Sequence, residues 1–155
     1  MRTLAIDLGA RRIGLALSDA GGKLATPYEV IPVTHPDQAI YPILQLIDRE
    51  EVRRLVVGLP LNMDGTSGPA ARDTVIWAKK MATRAKAELI FVDERLSSFT
   101  AEQQLNDRKR SGEKLTRKKK KQQLDAVAAA GFLQDFLDGK LPPLPSPSPS
   151  GRGPG

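Results

Sequence analysis

The sequence predicts an α/β domain in which a mixed sheet is covered by helices on both faces. Three observations predict it. Three short strand-like runs separated by turns open the chain, helical and strand-like stretches then alternate, and the later strands are apolar at their centres. Thr3 to Asp7 reads as the first strand, Gly9-Ala10-Arg11-Arg12 as a turn, and Ile13 to Ser18 as the returning antiparallel strand. Asp19 to Gly22 turns the chain again, into a third strand around Tyr28 to Val33. Pro27 and Pro32 cannot donate to a ladder, so this strand is expected at an edge.

A helix opening near Pro36-Asp37 carries Ile40, Ile43, Leu44 and Ile47 on one stripe. Arg54 to Gly58 is a short strand of the kind buried on both faces of a sheet. Thr66, Ser67 or Gly68 is expected to cap the next helix, with Pro69 at its first position and Ala71, Val75, Ala78, Met81 and Ala82 facing inward. Leu89 to Val92 makes the fifth strand, and a helix is expected from about Thr100 to Asp107. The last helix, starting at Leu124, presents Leu124, Val127, Ala128, Phe132 and Phe136 as its apolar face and stops near Gly139. Trp77 and Tyr28 read as packing residues, and His35 as a surface loop residue.

A chain of 155 residues is one domain by length and buries roughly 70% of its unfolded surface. The expected domain is 1–139. Residues 140–155 are expected to be a disordered tail, because from Leu141 onward six of the twelve prolines accompany only two leucines. There is no cysteine and a single histidine, which excludes disulfides, thiolate zinc sites and clusters of imidazoles. Oxygen-ligand metals remain. No apolar run approaches a membrane span and no signal-like stretch precedes the first strand, so a soluble, cytoplasmic protein is expected.

The net charge is +6, and it is local. Arg108 to Lys121 holds nine basic residues (Arg108, Lys109, Arg110, Lys114, Arg117, Lys118, Lys119, Lys120 and Lys121) and one acid, Glu113. Removing them from totals of 24 basic and 18 acidic residues leaves 15 and 17, a slightly acidic remainder. Such runs are often only solvated loops. This one leads straight into Asp125, so phosphates attracted to it would be delivered there. It lacks interleaved aromatics, which suits backbone binding rather than base reading.

Asp125 is one of three acids at the tips of predicted elements. Asp7 ends the first strand, Glu94 follows the fifth, and Asp125 opens the last helix. Clustered carboxylates repel unless a cation neutralises them, and metal-assisted phosphodiester hydrolysis requires such a cluster. The strand ends bring Asp7, the loop after Gly58 and Glu94 together if their strands are neighbours. Arg11 and Arg12, at the hairpin tip just past Asp7, are placed to clamp a phosphate. Asn62, Asp64, Gly65 and Thr66 either line the rim or simply shape their loop. Asp93 and Glu94 point to opposite faces of a regular strand, so only one can serve a shared ion.

Four motifs in order resemble the YqgF family: Ala5 to Ala16, Val57 to Gly65, Val92 to Ser98 and Leu124 to Ala129. The family comprises pre-16S ribosomal RNA nucleases related to Holliday-junction resolvases. The resemblance spans roughly residues 1 to 138, with Ala10 and the Ser97-Ser98 pair as mild departures. It implies a ribonuclease H-like fold with a mixed five-stranded sheet, three strands antiparallel and then two parallel. It also implies catalytic, metal-holding carboxylates at Asp7, Glu94 and Asp125, choosing Glu94 over Asp93, which would then bond to backbone or to Arg95. Magnesium is the implied ion, with manganese as a substitute, and Asp7 the bridge between two ions. RNA is the favoured partner, Arg11, Arg12, Lys109, Arg110, Lys114 and Arg117 to Lys121 the nucleic-acid contacts, and a monomer or weak homodimer the expected state. Two rivals stand beside this reading: a nucleotide-binding domain of the actin-like kind, for which the chain has room for only one of the two usual halves, and a non-catalytic RNA-binding factor for ribosome assembly or transcription.

Overall fold

β-Branched and leucine-rich runs pair into one five-stranded sheet. Its strands are β1 (Arg2–Leu8), β2 (Arg12–Ser18), β3 (Ala25–Pro32), β4 (Val52–Leu59) and β5 (Glu88–Asp93). Their spatial order is β3-β2-β1-β4-β5. The first three meander antiparallel, while β4 lies parallel to both β1 and β5. These are the features of a computed structural model, which describes residues 1–98 and 117–145, the stretch 117–123 by its backbone alone. As expected from its prolines, β3 is an edge strand, and its pairing with β2 shifts register between Leu15 and Ala16, beside Pro27.

Helix α1 (Ile40–Arg49) follows a single helical turn, Pro36–Ala39, and α2 (Pro69–Ala85) starts behind Gly68 with Pro69 at its first position. Both cover one face of the sheet. There Leu4, Ile6, Ile13, Leu15, Leu55 and Val57 pack against Ile43, Leu46, Val75, Ala78 and Met81. His35 has a use the sequence did not reveal: its Nδ1 accepts from Asp37 N at 3.1 Å and caps the short turn. Trp77 is buried in this core and donates to the Pro36 carbonyl at 3.2 Å. Tyr28 stays partly exposed, its hydroxyl accepting from Arg49.

The opposite face of the sheet is lined by small residues, Ala5, Ala16 and Val56, and takes the long helix α3 (Arg117–Leu137). Two expectations are corrected here. The helix begins at Arg117 rather than Leu124, so the end of the basic run is part of it and Asp125 lies more than two turns inside. Its buried stripe is Ala126, Ala129, Ala130, Phe132 and Leu133, with Leu124, Val127 and Ala128 only half-buried. The physical reason is distance: a floor of alanine and glycine lets the helix sit close, and only small residues fit the seam. The helix stops as expected near Gly139, whose φ of 76° a side chain would strain.

The tail boundary at 140 is also corrected. Leu141 is fully buried under the α3 face, and the Leu144 N–H donates to the Phe91 carbonyl at 2.7 Å. Two leucines among prolines are enough to bind this segment, because each finds a prepared apolar seat. Leu141→Ala is expected to lower unfolding free energy in urea by about 2–5 kcal/mol, the usual range for emptying a buried leucine site. The rest of the tail, 146–155, and the expected helix at about 100 to 107 lie outside the described residues. Among the described residues no helix is long and apolar enough to cross a membrane.

Candidate active site

Asp7 stands near the end of the central strand β1 on the face that α3 covers, between two glycines. On one side it pairs with Gly14 of β2. On the other, β4 pairs Val57 with Ile6, which places Gly58 beside Asp7. Each glycine clears a space that another part of the site fills. A β-carbon on Gly14 would lie 2.2 Å from the Asp125 carbonyl oxygen, so the α3 backbone rests directly on the strand there. One on Gly58 would lie 3.1 Å from a Glu94 carboxylate oxygen and 3.2 Å from the Phe132 ring. The absence of two side chains thus lets Asp125 and Glu94 approach Asp7 from either side.

Asp125 reaches this place from the third turn of α3. Its Oδ2 accepts from Arg12 Nε at 2.8 Å, and both groups are about a third exposed. Arg12 is set by the hairpin tip, where the Gly9 N–H donates to the Arg12 carbonyl at 2.9 Å. Asp7, Gly9, Ala10, Arg11, Arg12 and Asp125 together line a small cleft of about 100 Å³.

Glu94 comes from the helical turn Glu94–Leu96 that follows β5. The preceding Asp93 points elsewhere, as strand alternation requires: it accepts from Arg95 N at 3.0 Å and from Arg95 Nη2 at 2.7 Å. Arg95 also donates to the Asn62 carbonyl, tying the β4 loop to the segment that carries Glu94. A second tie runs to α3. The buried Asp135 accepts from the Ser98 N–H at 2.9 Å and from the Ser98 hydroxyl at 2.9 Å, so the helix bearing Asp125 is bolted to the segment bearing Glu94.

The electrostatics follow from this crowding. Burial, and then the charges of Glu94 and Asp125, push the Asp7 carboxyl up to about 7. Glu94 is also raised, by burial first and by Asp93 second. Asp93 is lowered, chiefly by its bonds from Arg95, which leaves it a satisfied anion. Among the described residues no three acidic or histidine side chains already stand close enough together to hold an ion, and Asp125 is turned to Arg12. In kind the donors fit a hard divalent cation, since all are carboxylate oxygens and the like-charge field at Asp7 is what a dication relieves.

The sequence profile of RuvX, described as Holliday junction resolvase, matches residues 1–139. The chain belongs to the RuvX family. This is the membership that the YqgF-like motifs imply. A Chloroflexus aggregans protein named "Putative pre-16S rRNA nuclease" is 40% identical over 141 residues, covering 91% of this chain and 96% of the relative. A protein of the same name from Anaeromyxobacter sp. (strain K) is 40% identical over 142 residues, covering 92% and 100%. Among solved structures, Thermus thermophilus RuvC in complex with a Holliday junction aligns with a TM-score of 0.57 at 19% identity, over 93% of this chain and 99% of RuvC. At that identity the likeness shows the fold, which is ribonuclease H-like.

In this RuvX-family chain, Asp7, Glu94 and Asp125 are brought to one end of the sheet, and Arg11 and Arg12 line the cleft beside them. Arg117 to Lys121 form the first turns of α3, while Lys109, Arg110 and Lys114 lie outside the described residues. Asn62, Asp64, Gly65 and Thr66 bond mostly to one another: Thr66 donates to Asp64 Oδ1 at 2.6 Å, and Gly65 takes a φ of 87°. Sequence reasoning missed Gly14, Gly58 and Asp135 as architects of the site. The glycines had a signal, since a glycine in an apolar strand marks close approach of another group. Asp135 had none, being one acid among others on an amphipathic helix.

Proposed function

We propose that this chain is a divalent-metal-dependent endonuclease that hydrolyses phosphodiester bonds, acting on the 5′ end of pre-16S rRNA. The observation that carries the reading is a half-buried Asp7 held between two glycine-cleared spaces, within the fields of Glu94 and Asp125. Relatives 40% identical across nine-tenths of the chain bear a pre-16S rRNA nuclease name, which supports this chemistry and this substrate. Asp7, Glu94 and Asp125 would hold magnesium, or manganese in its place. Bound there, such ions supply an activated water and charge stabilisation for the leaving 3′ oxygen, giving 5′-phosphate and 3′-hydroxyl ends.

The remaining work falls to the chain itself. Arg11 and Arg12 at the cleft offer planar forks for phosphate oxygens. The first turns of α3 carry five consecutive basic residues toward Asp125, a track for the sugar–phosphate backbone. Replacing Lys118 to Lys121 by alanine is expected to weaken RNA binding and to reduce the slope of log K against log salt by roughly 3. An unchanged slope in a filter-binding titration would show that these lysines do not touch phosphate.

In this reading the protein is a cytoplasmic enzyme acting on RNA as a monomer or weak homodimer, for which the single acidic site described above suffices. The second reading, resolution of four-way DNA junctions, is favoured by the family description and requires two chains acting together. Incubation with precursor rRNA, a synthetic four-way junction and plain duplex, with and without magnesium, separates the two. Magnesium-dependent cuts in the precursor alone are expected. Cuts in the junction alone would favour the second reading, and none in any substrate would leave a non-catalytic binding factor.

A further inference from the structure

We infer that Arg12 exchanges partners during the reaction cycle, holding Asp125 while the ion site is empty and passing to a substrate phosphate once a divalent ion takes Asp125. The inference rests on reading Asp125 as an ion ligand. Arg12 Nε and Asp125 Oδ2 stand 2.8 Å apart, so a guanidinium already satisfies the carboxylate that the ion needs. Among the described residues Arg12 makes no ion pair with Asp7, although both line the same cleft. The Arg12 charge is therefore directed at one edge of the acidic group.

Both partners of this pair are about a third exposed and line the same cleft as Asp7, so neither needs a rearrangement of the fold to part. Such a partly exposed pair is weak, and a divalent ion with several oxygen ligands competes with it readily. Arg12 cannot shed its charge on release, unlike a lysine or histidine. Its fork is then left beside the cleft without an anion, which is the state that a phosphate diester completes. Binding of ion and of phosphate are coupled through this one side chain: each frees a partner for the other. The ion-free pair also keeps Asp125 from facing Asp7 and Glu94 unneutralised.

The exchange predicts opposite signs in two measurements on Arg12→Gln. Manganese alone, titrated by electron paramagnetic resonance, is expected to bind roughly tenfold more tightly than to the native chain, because a competing cation is gone. With magnesium and precursor 16S rRNA, kcat/KM is expected to fall by roughly tenfold or more, with KM raised. Arg12→Lys keeps the charge and loses the fork, so its manganese affinity is expected to stay near native while kcat/KM still falls. Thermal melts confirm that each variant is folded. Weaker manganese binding by Arg12→Gln would mean that the arginine supports the ligand instead of competing for it, and would overturn the exchange. Tighter manganese binding with unchanged KM would overturn the transfer to phosphate. No manganese bound by the native chain, with or without nucleic acid, would instead remove the reading of Asp125 as a ligand.

Discussion

Asp7→Asn is expected to abolish cleavage and, in the absence of divalent ions, to make the folded protein harder to unfold above pH 7. The two effects have one origin. In the unfolded chain the carboxyl titrates at its ordinary 3.8, whereas in the fold burial and two acidic neighbours push it up to about 7. Below 3.8 both states hold the proton and the site costs nothing. As pH rises through the window between 3.8 and about 7, the unfolded chain releases its proton first, so stability is lost. Three units at 1.36 kcal/mol each set the loss at about 4 kcal/mol at most. Asparagine is nearly the same shape and never charges, so it escapes that loss. Urea unfolding in chelator at pH 8 should therefore show the variant more stable by roughly 2–4 kcal/mol, with a flatter profile between pH 4 and 7. Equal stability at every pH would mean that Asp7 is not held against its neighbours' charges.

Gly14→Ala should damage both stability and catalysis, and more severely than Gly58→Ala. The added methyl at Gly14 would meet backbone, 2.2 Å from the Asp125 carbonyl oxygen and 2.9 Å from the Ala126 nitrogen. Backbone of a packed helix cannot turn aside as a side chain can, so α3 must lift from β2. Overpacking of this kind costs about 1–3 kcal/mol, and a shift of Asp125 by 1 Å is enough to cut kcat by roughly 100-fold. At Gly58 the methyl would meet the tip of Glu94 at 3.1 Å and the edge of the Phe132 ring, both able to give by a few tenths of an ångström. Paired urea denaturation and cleavage assays give the order. A Gly14 variant as stable and active as the native chain would refute the close seating of α3.

Much of this arrangement was legible because it rests on local signals. Alternation and turn residues gave the meander, the prolines gave the edge position of β3, and helical spacing gave α1 and α2. Strand alternation admits only one of Asp93 and Glu94 to a shared site, the family resemblance selects Glu94, and the structure pairs Asp93 with Arg95. What escaped was set by partners distant in sequence. The rotation of α3 is decided by the alanine and glycine floor of β1 and β2, so the large apolar residues Leu124 and Val127 do not define its buried stripe. The start of α3 is hidden in the sequence because a run of like charges reads as a solvated loop, although lysine and arginine are good helix formers. Asp135 joins Ser98 across 37 residues, and no short-range pattern announces such a bond. Leu141 looked like part of a proline-rich tail because burial depends on the apolar seat that receives it.

The most direct measurement is anomalous X-ray scattering from crystals of the native chain grown with manganese and an uncleavable nucleic acid. Strong manganese peaks among the carboxylates of Asp7, Glu94 and Asp125, beside a backbone phosphate, are the result predicted. Bound nucleic acid with its phosphates elsewhere, and no metal among these three side chains, would contradict the account.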